Sequence, residues 1–146
     1  MSTIQLYNHT ISRFVTGANA AADTYKVMLL SSSATFDATH TTLSQVTNAG
    51  AYQVSGNGWT AGGETLANVT LALANTSGAK FDADDISVTA TGGSIGPYSH
   101  YVIFNDTDAD DPPVGLVTLT APATITVGQA LEIHWSSNGI VSFAQG

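Results

Sequence analysis

The sequence predicts a mainly β domain, a sandwich or barrel preceded by one short helix. Three observations carry this. Short apolar runs recur at intervals of roughly 8–12 residues, each closed by a turn signal. The uncharged polar residues that fill the chain include many threonines, whose β-branched side chains suit exposed strand faces. Helical periodicity occurs convincingly at one place only, the N-terminus.

There, Ile4, Tyr7, Ile11, Phe14 and Val15 recur at steps of three and four, and Gly17 is placed to end the turn. Residues 1–20 are therefore expected to form a helix or arm, and 21–146 the sandwich. Residues 24–30, Thr-Tyr-Lys-Val-Met-Leu-Leu, read as a strand closed by three serines. A Ser/Thr-rich loop follows over 31–50, with a helical turn near 43–46. Between Leu66 and Leu73 apolar and polar residues alternate, which assigns Ala67, Val69, Leu71 and Leu73 to one buried face. Further strands are expected at 79–81, 86–90, 100–104, 114–119, 123–127, 130–135 and 140–143. The intervening turns fall at 75–78, 92–93, 106–113 and 127–128. Asn138-Gly139 is the strongest hairpin signal, because a type I′ turn requires φ > 0 twice. Neither a linker nor a repeat divides the 146 residues, so one domain is expected.

Charge narrows the functional classes. Eleven acidic residues stand against three basic ones, Arg13, Lys26 and Lys80, for a net charge of −8. Nucleic-acid binders gain affinity from Lys and Arg on phosphates, so three scattered cations exclude that role, and an anionic membrane surface is disfavoured likewise. The 43% hydrophobic content argues against disorder. The chain has no cysteine, which removes disulfides and thiolate metal sites. The start of the chain lacks the pattern of a signal peptide, and no apolar run approaches the ~20 residues of a membrane span.

Few motifs point to chemistry. Gly92-Gly-Ser94-Ile-Gly96 fits G-x-S-x-G, with Asp106 and His134 following in hydrolase order. A nucleophile elbow joins a strand to a helix, however, and Ser94 precedes a strand pattern; a Gly-rich inter-strand turn is the expectation. Asp106-Thr-Asp108-Ala-Asp110-Asp111 begins like a calcium loop, but Asp111 stands where Gly is required and Val117 where the bidentate Glu belongs. An acidic turn between strands is expected, as it is for residues 81–85. Glu64 and Glu132 are the only glutamates, and His9, His40, His100 and His134 lack metal-ligand spacing. The histidines in strands are expected to be packed or rim residues. No catalytic residue, metal or cofactor is assigned, and the chain is expected not to be an enzyme. Trp135 is expected in the core. Trp59, in a Gly-rich loop, either anchors a partner surface or folds over its own sheet.

Several stretches together resemble a family of small tailed-phage virion proteins, identified as head decoration (cement) or fibre proteins. The resemblance is carried by Leu6-Tyr-Asn8, 23–30, Gly58-Trp-Thr-Ala-Gly-Gly63 with Thr65-Leu66, 80–85, 101–106, 131–135 and Asn138-Gly-Ile140, in that order. Residues 31–55 are longer and richer in Ser and Thr than the pattern. The resemblance implies a jelly-roll-like antiparallel β-sandwich without catalytic residues. Such a domain binds the outside of the assembled capsid as a small homo-oligomer, a dimer or trimer, and holds major capsid subunits together. The alternative is a tail or head fibre component that recognises a host glycan. The expected location is the virion surface after synthesis in the bacterial cytoplasm. Ile4, Leu6, Tyr7, Ile11 and Phe14 are then candidate partner contacts with Trp59, or else residues that cap the open end of the sandwich.

Overall fold

Three runs with almost no polar interruption lie at the centre of the molecule: 25–30, 101–104 and 113–117. A strand buried on one face alternates apolar and polar residues, whereas a strand buried on both reads as continuous apolar sequence. The computed structural model, which describes residues 4–73 and 78–144, places all three runs in one antiparallel sheet. Its strands are β1 (Ile4–Leu6), β2 (Tyr25–Leu30), β3 (Gln53–Val54), β4 (Glu64–Thr65), β8 (Ile95–Asn105) and β9 (Pro113–Ile125). The order is β1-β9-β8-β2-β3, with β4 also paired to β2. Two smaller antiparallel sheets complete the fold. One pairs β7 (Ile86–Thr89) with β10 (Ala130–Ile133); the other runs β11 (Val141–Ala144), β6 (Gly78–Asp82), β5 (Thr70–Leu73). The chain is thus mainly β and antiparallel, consistent with a sandwich.

Alternation along β2 shows how the layers are divided. Tyr25, Val27 and Leu29 point into the core shared with Phe81, Ile86, Leu131, Ile133 and Val141 of the small sheets. Met28 and Leu30 point the other way, into a second core. That second face is covered not by a sheet but by the Ser/Thr-rich stretch, which supplies Ala34, Phe36, Leu43, Val46 and Tyr52, joined by Tyr7. Each fully buried side chain of this size contributes about 1.5–3 kcal/mol. Within the cover, helix α2 (Leu43–Thr47) forms where a helical turn was expected. A reciprocal capping box starts it: the Gln45 N–H donates to Thr42 Oγ1 at 3.3 Å, and the Thr42 N–H donates to the Gln45 side chain at 3.2 Å.

Four expectations need correction. The N-terminal helix covers only Thr10–Val15 (α1); Ile4 and Leu6, two residues apart, instead pair with Val117 and Gly115 of β9. Weak helix formers and a short segment lose to a sheet edge offering hydrogen bonds and an apolar floor. The runs 114–119 and 123–127 join into the single strand β9. The alternation from Leu66 breaks at Asn68, which adopts φ 53°, so Leu66 is buried while Ala67 is exposed. Finally, the Asn138-Gly139 turn closes between Ser136 and Gly139, yet β10 and β11 enter different sheets. Asn138 does not take positive φ, so the type I′ turn is absent and the turn hands the chain from one small sheet to the other. Most of the expected turn at 75–78 lies outside the described residues.

Candidate functional site

At the β1 edge the sandwich stays open. Register explains the floor of the opening: Ile4 faces Val117 across β1 and β9, and Val117 faces Tyr101 across β9 and β8. One apolar row therefore runs out to the sheet edge. Gly115 makes room for it, because a Cβ there would lie 2.5 Å from Cδ1 of Ile4. The opposite wall is the segment that carries the chain from β10 to β11, including Trp135, Asn138 and Ile140. Between them lies a groove of about 360 Å³.

Trp135 was expected in the core but is only partly buried and lines this groove. Its backbone N–H donates to Asp85 Oδ1 at 2.9 Å, and its indole N–H donates to the Asp84 carbonyl at 3.0 Å. The Tyr101 ring meets the indole edge-on, with centroids 6.2 Å apart and planes at 67°. Burial, with a smaller contribution from Tyr98, pushes the Tyr101 phenol up to about 12, so it presents a neutral hydroxyl.

One histidine, His134, stands among the groove's lining residues. Exposed His134 stands between two carboxylates, Nδ1 at 2.9 Å from Asp85 Oδ2 and Nε2 at 3.2 Å from Glu132 Oε2. Hydrogen bonds to both raise the imidazole pKa above its ordinary value. The same His134 contact and the Trp135 N–H hold Asp85 below the usual carboxylate range. His100 is the opposite case. It lies buried in β8 with Nδ1 2.9 Å from Thr118 Oγ1, and desolvation lowers its pKa despite a backbone hydrogen bond at Ala34.

The six candidate contact residues divide. Ile4 and Leu6 line the groove, and Ile11 is exposed on α1 near Val15, which is 79% exposed. Tyr7, Phe14 and Trp59 are corrected to core positions, 1%, 8% and 2% exposed, and present almost no surface to a partner. Phe14 packs on Phe81 and Phe143, and Tyr7 on Phe36. Trp59 is folded inward by a tight loop in which Gly56 and Trp59 exchange backbone hydrogen bonds of 2.9 and 3.2 Å. Gly58 permits that loop: its φ is +111°, and a Cβ would lie 2.6 Å from the Thr89 carbonyl oxygen.

The motifs resolve into local structure. Residues 92–94 connect β7 to β8, strand to strand, and the Ser94 carbonyl accepts from Asn57 at 2.7 Å. The imidazole of His134 is engaged by Asp85 and Glu132, while Asp106 pairs with Lys26 at 3.1 Å. The 106–111 turn connects β8 to β9, and its Asp108 binds Arg13 at 3.2 Å. Among the described residues no group of three His, Asp or Glu side chains is placed to hold a metal ion. In the sequence, His134 and Glu132 are weighed only for other chemistry and are not joined with Tyr101 or Asp85. The partners His134 and Asp85 stand 49 residues apart and meet only because β7 pairs with β10. No protein-family model, curated protein or solved structure matches the chain.

Proposed function

We propose that this chain is a phage capsid decoration protein, which binds the exterior of the assembled head as a small homo-oligomer and stabilises contacts between major capsid subunits. The observation that supports this best is the open groove at the β1 edge, an apolar floor with a polar rim, which is the anatomy of a protein-docking surface. Exposed Ile11 and Val15 on α1 add a second apolar feature. The ordered sequence resemblance names the partner, and net charge −8 keeps free copies apart before assembly. No catalytic step belongs to the proposal. The test is co-sedimentation of the purified protein with assembled capsids that lack it, and with free capsid subunits. Binding to capsids alone, with a rise in the temperature at which particles open, is expected; equal binding to free subunits would reject the reading.

One observation favours a second reading, a fibre component that binds host glycan. Tyr101 and Trp135 share the groove with hydrogen-bonding side chains, as sugar sites require. Binding on a glycan array that Trp135→Ala abolishes, without capsid binding, would favour it.

A further inference from the structure

Both ring nitrogens of His134 face carboxylates, Nδ1 at 2.9 Å from Asp85 Oδ2 and Nε2 at 3.2 Å from Glu132 Oε2. A neutral imidazole has one N–H and one lone pair, so it can donate to only one of them. The imidazolium alone serves both. Deprotonation therefore turns a lone pair toward a carboxylate, and one contact has to go. The two carboxylates are not held alike. Asp85 Oδ1 also accepts the Trp135 backbone N–H at 2.9 Å, so this carboxylate is fixed from a second side. Glu132 reaches the ring from β10 on a longer, half-exposed side chain, and no second bond holds its carboxylate among the described residues. We propose that His134 is a proton-operated switch in the groove wall: protonated, it is capped by Glu132; neutral, it keeps its Nδ1–H on Asp85, sheds Glu132 and frees the Nε2 lone pair as a hydrogen-bond acceptor.

The charged and titratable groups about the ring come from each element packed near it. Glu132 belongs to β10, and Asp84 and Asp85 to the connection from β6 to β7. From β8, Tyr101 meets Trp135 edge-on and carries a neutral hydroxyl. From β6, Lys80 donates to the Ser137 carbonyl at 3.2 Å, and its charge is paired with Asp82 at 3.2 Å. Two carboxylates thus bond the imidazole directly, and those bonds lift its pKa above 6.5. A carboxylate on one ring nitrogen fixes which tautomer the neutral ring adopts, and here that carboxylate is the doubly held Asp85. Because His134 lines the groove, the wall gains an acceptor above the midpoint and loses it below. The switch belongs to the groove itself; decoration is decided separately by capsid sedimentation.

Long-range proton–nitrogen NMR of isotopically labelled protein reads the two ring nitrogens separately across pH. Above the His134 midpoint the ring should hold the Nδ1–H form, whereas free histidine side chains favour Nε2–H. The Glu132 carboxyl carbon should move with the same midpoint. Glu132→Gln should lower that midpoint and leave the Nδ1–H form in place. Asp85→Asn should also lower it and return the ring to Nε2–H, because its one carbonyl oxygen stays with the Trp135 N–H and its amide faces Nδ1. An unchanged Trp135 indole resonance shows that each variant is folded. An Nε2–H form in the wild type overturns the switch, as does a Glu132 carboxyl that does not respond at the His134 midpoint. Should Asp85→Asn unfold, Glu132→Gln decides: an unchanged midpoint overturns the proposal, and a lowered one with Nδ1–H retained supports it.

Discussion

The two faces of the six-stranded sheet are closed in different ways. One is covered by residues 31–52, a local cover of loop and short helix that buries Leu30, Val102 and Phe104. The other packs on two small sheets assembled from distant parts of the chain, and those sheets stop short of β1. Strands are straighter and tied to register, so where they end they leave a groove. Both sides keep an opening, and the difference lies in its lining: Ile4, Leu6, Tyr101 and Trp135 line the groove on the sheet-packed side, while Met28 and Leu43 lie with Asp110 and Asp111 in an opening of about 520 Å³ on the looped side.

Adjacent residues of β2 test that contrast most strongly. Leu29 and Leu30 are both fully buried, one on each face. Leu29→Ala and Leu30→Ala should each cost about 2–5 kcal/mol, depending on how far the site collapses. Leu29→Ala should be the costlier, because sheets relax less than a loop. Urea unfolding of both variants measures this; equal costs would erase the mechanical distinction.

Backbone constraint gives the next effect. Gly58→Ala, on the sheet-packed side, should lose about 1–3 kcal/mol from its positive φ, with the approach to Thr89 adding to it. Quenching or exposure of the Trp59 fluorescence should accompany the loss. On the looped side, Thr42→Ala removes the cap of α2 and should cost about 1 kcal/mol. Hydrogen exchange should then rise within 43–47 and remain unchanged in β6 and β7.

The smallest effect separates the two histidines by sign. His100 has a lowered pKa, so the unfolded chain takes up its proton more readily. Its contribution is intact above the ordinary value of 6.5 and is lost as pH falls below it. His134 has a raised pKa, so its contribution is present below 6.5 and lost as pH rises through the raised value. Imidazole NMR titration should place His134 above 6.5 and His100 below it; both midpoints on one side would contradict the geometry.

Much of the fold was legible because doubly buried strands announce themselves, as in Tyr25-Lys-Val-Met-Leu-Leu30 and Tyr101-Val-Ile-Phe104. The helical turn at 43–47 was legible because its capping box is local. The N-terminal segment misled because Ile4, Tyr7, Ile11 and Phe14 satisfy a helical period, while Ile4 and Leu6 alone satisfy a strand's. Only the free edge of β9 decides between them. The Asn138-Gly139 signal reported a turn truly but could not say which sheet receives the next strand. The groove was least legible: Trp135, Tyr101 and Asp85 come from three strand neighbourhoods, and no local pattern joins them.

The pairing of every basic side chain has a practical consequence. Trypsin cuts after Lys and Arg, so the whole chain offers it three sites. Arg13 lies in α1, Lys26 in β2 and Lys80 in β6, each inside regular structure and held by an aspartate. A protease needs an extended, released segment, which here requires major opening of the domain. Digestion rate thus becomes a readout of the opened population, legible by gel in a mixture where optical methods cannot single out this chain.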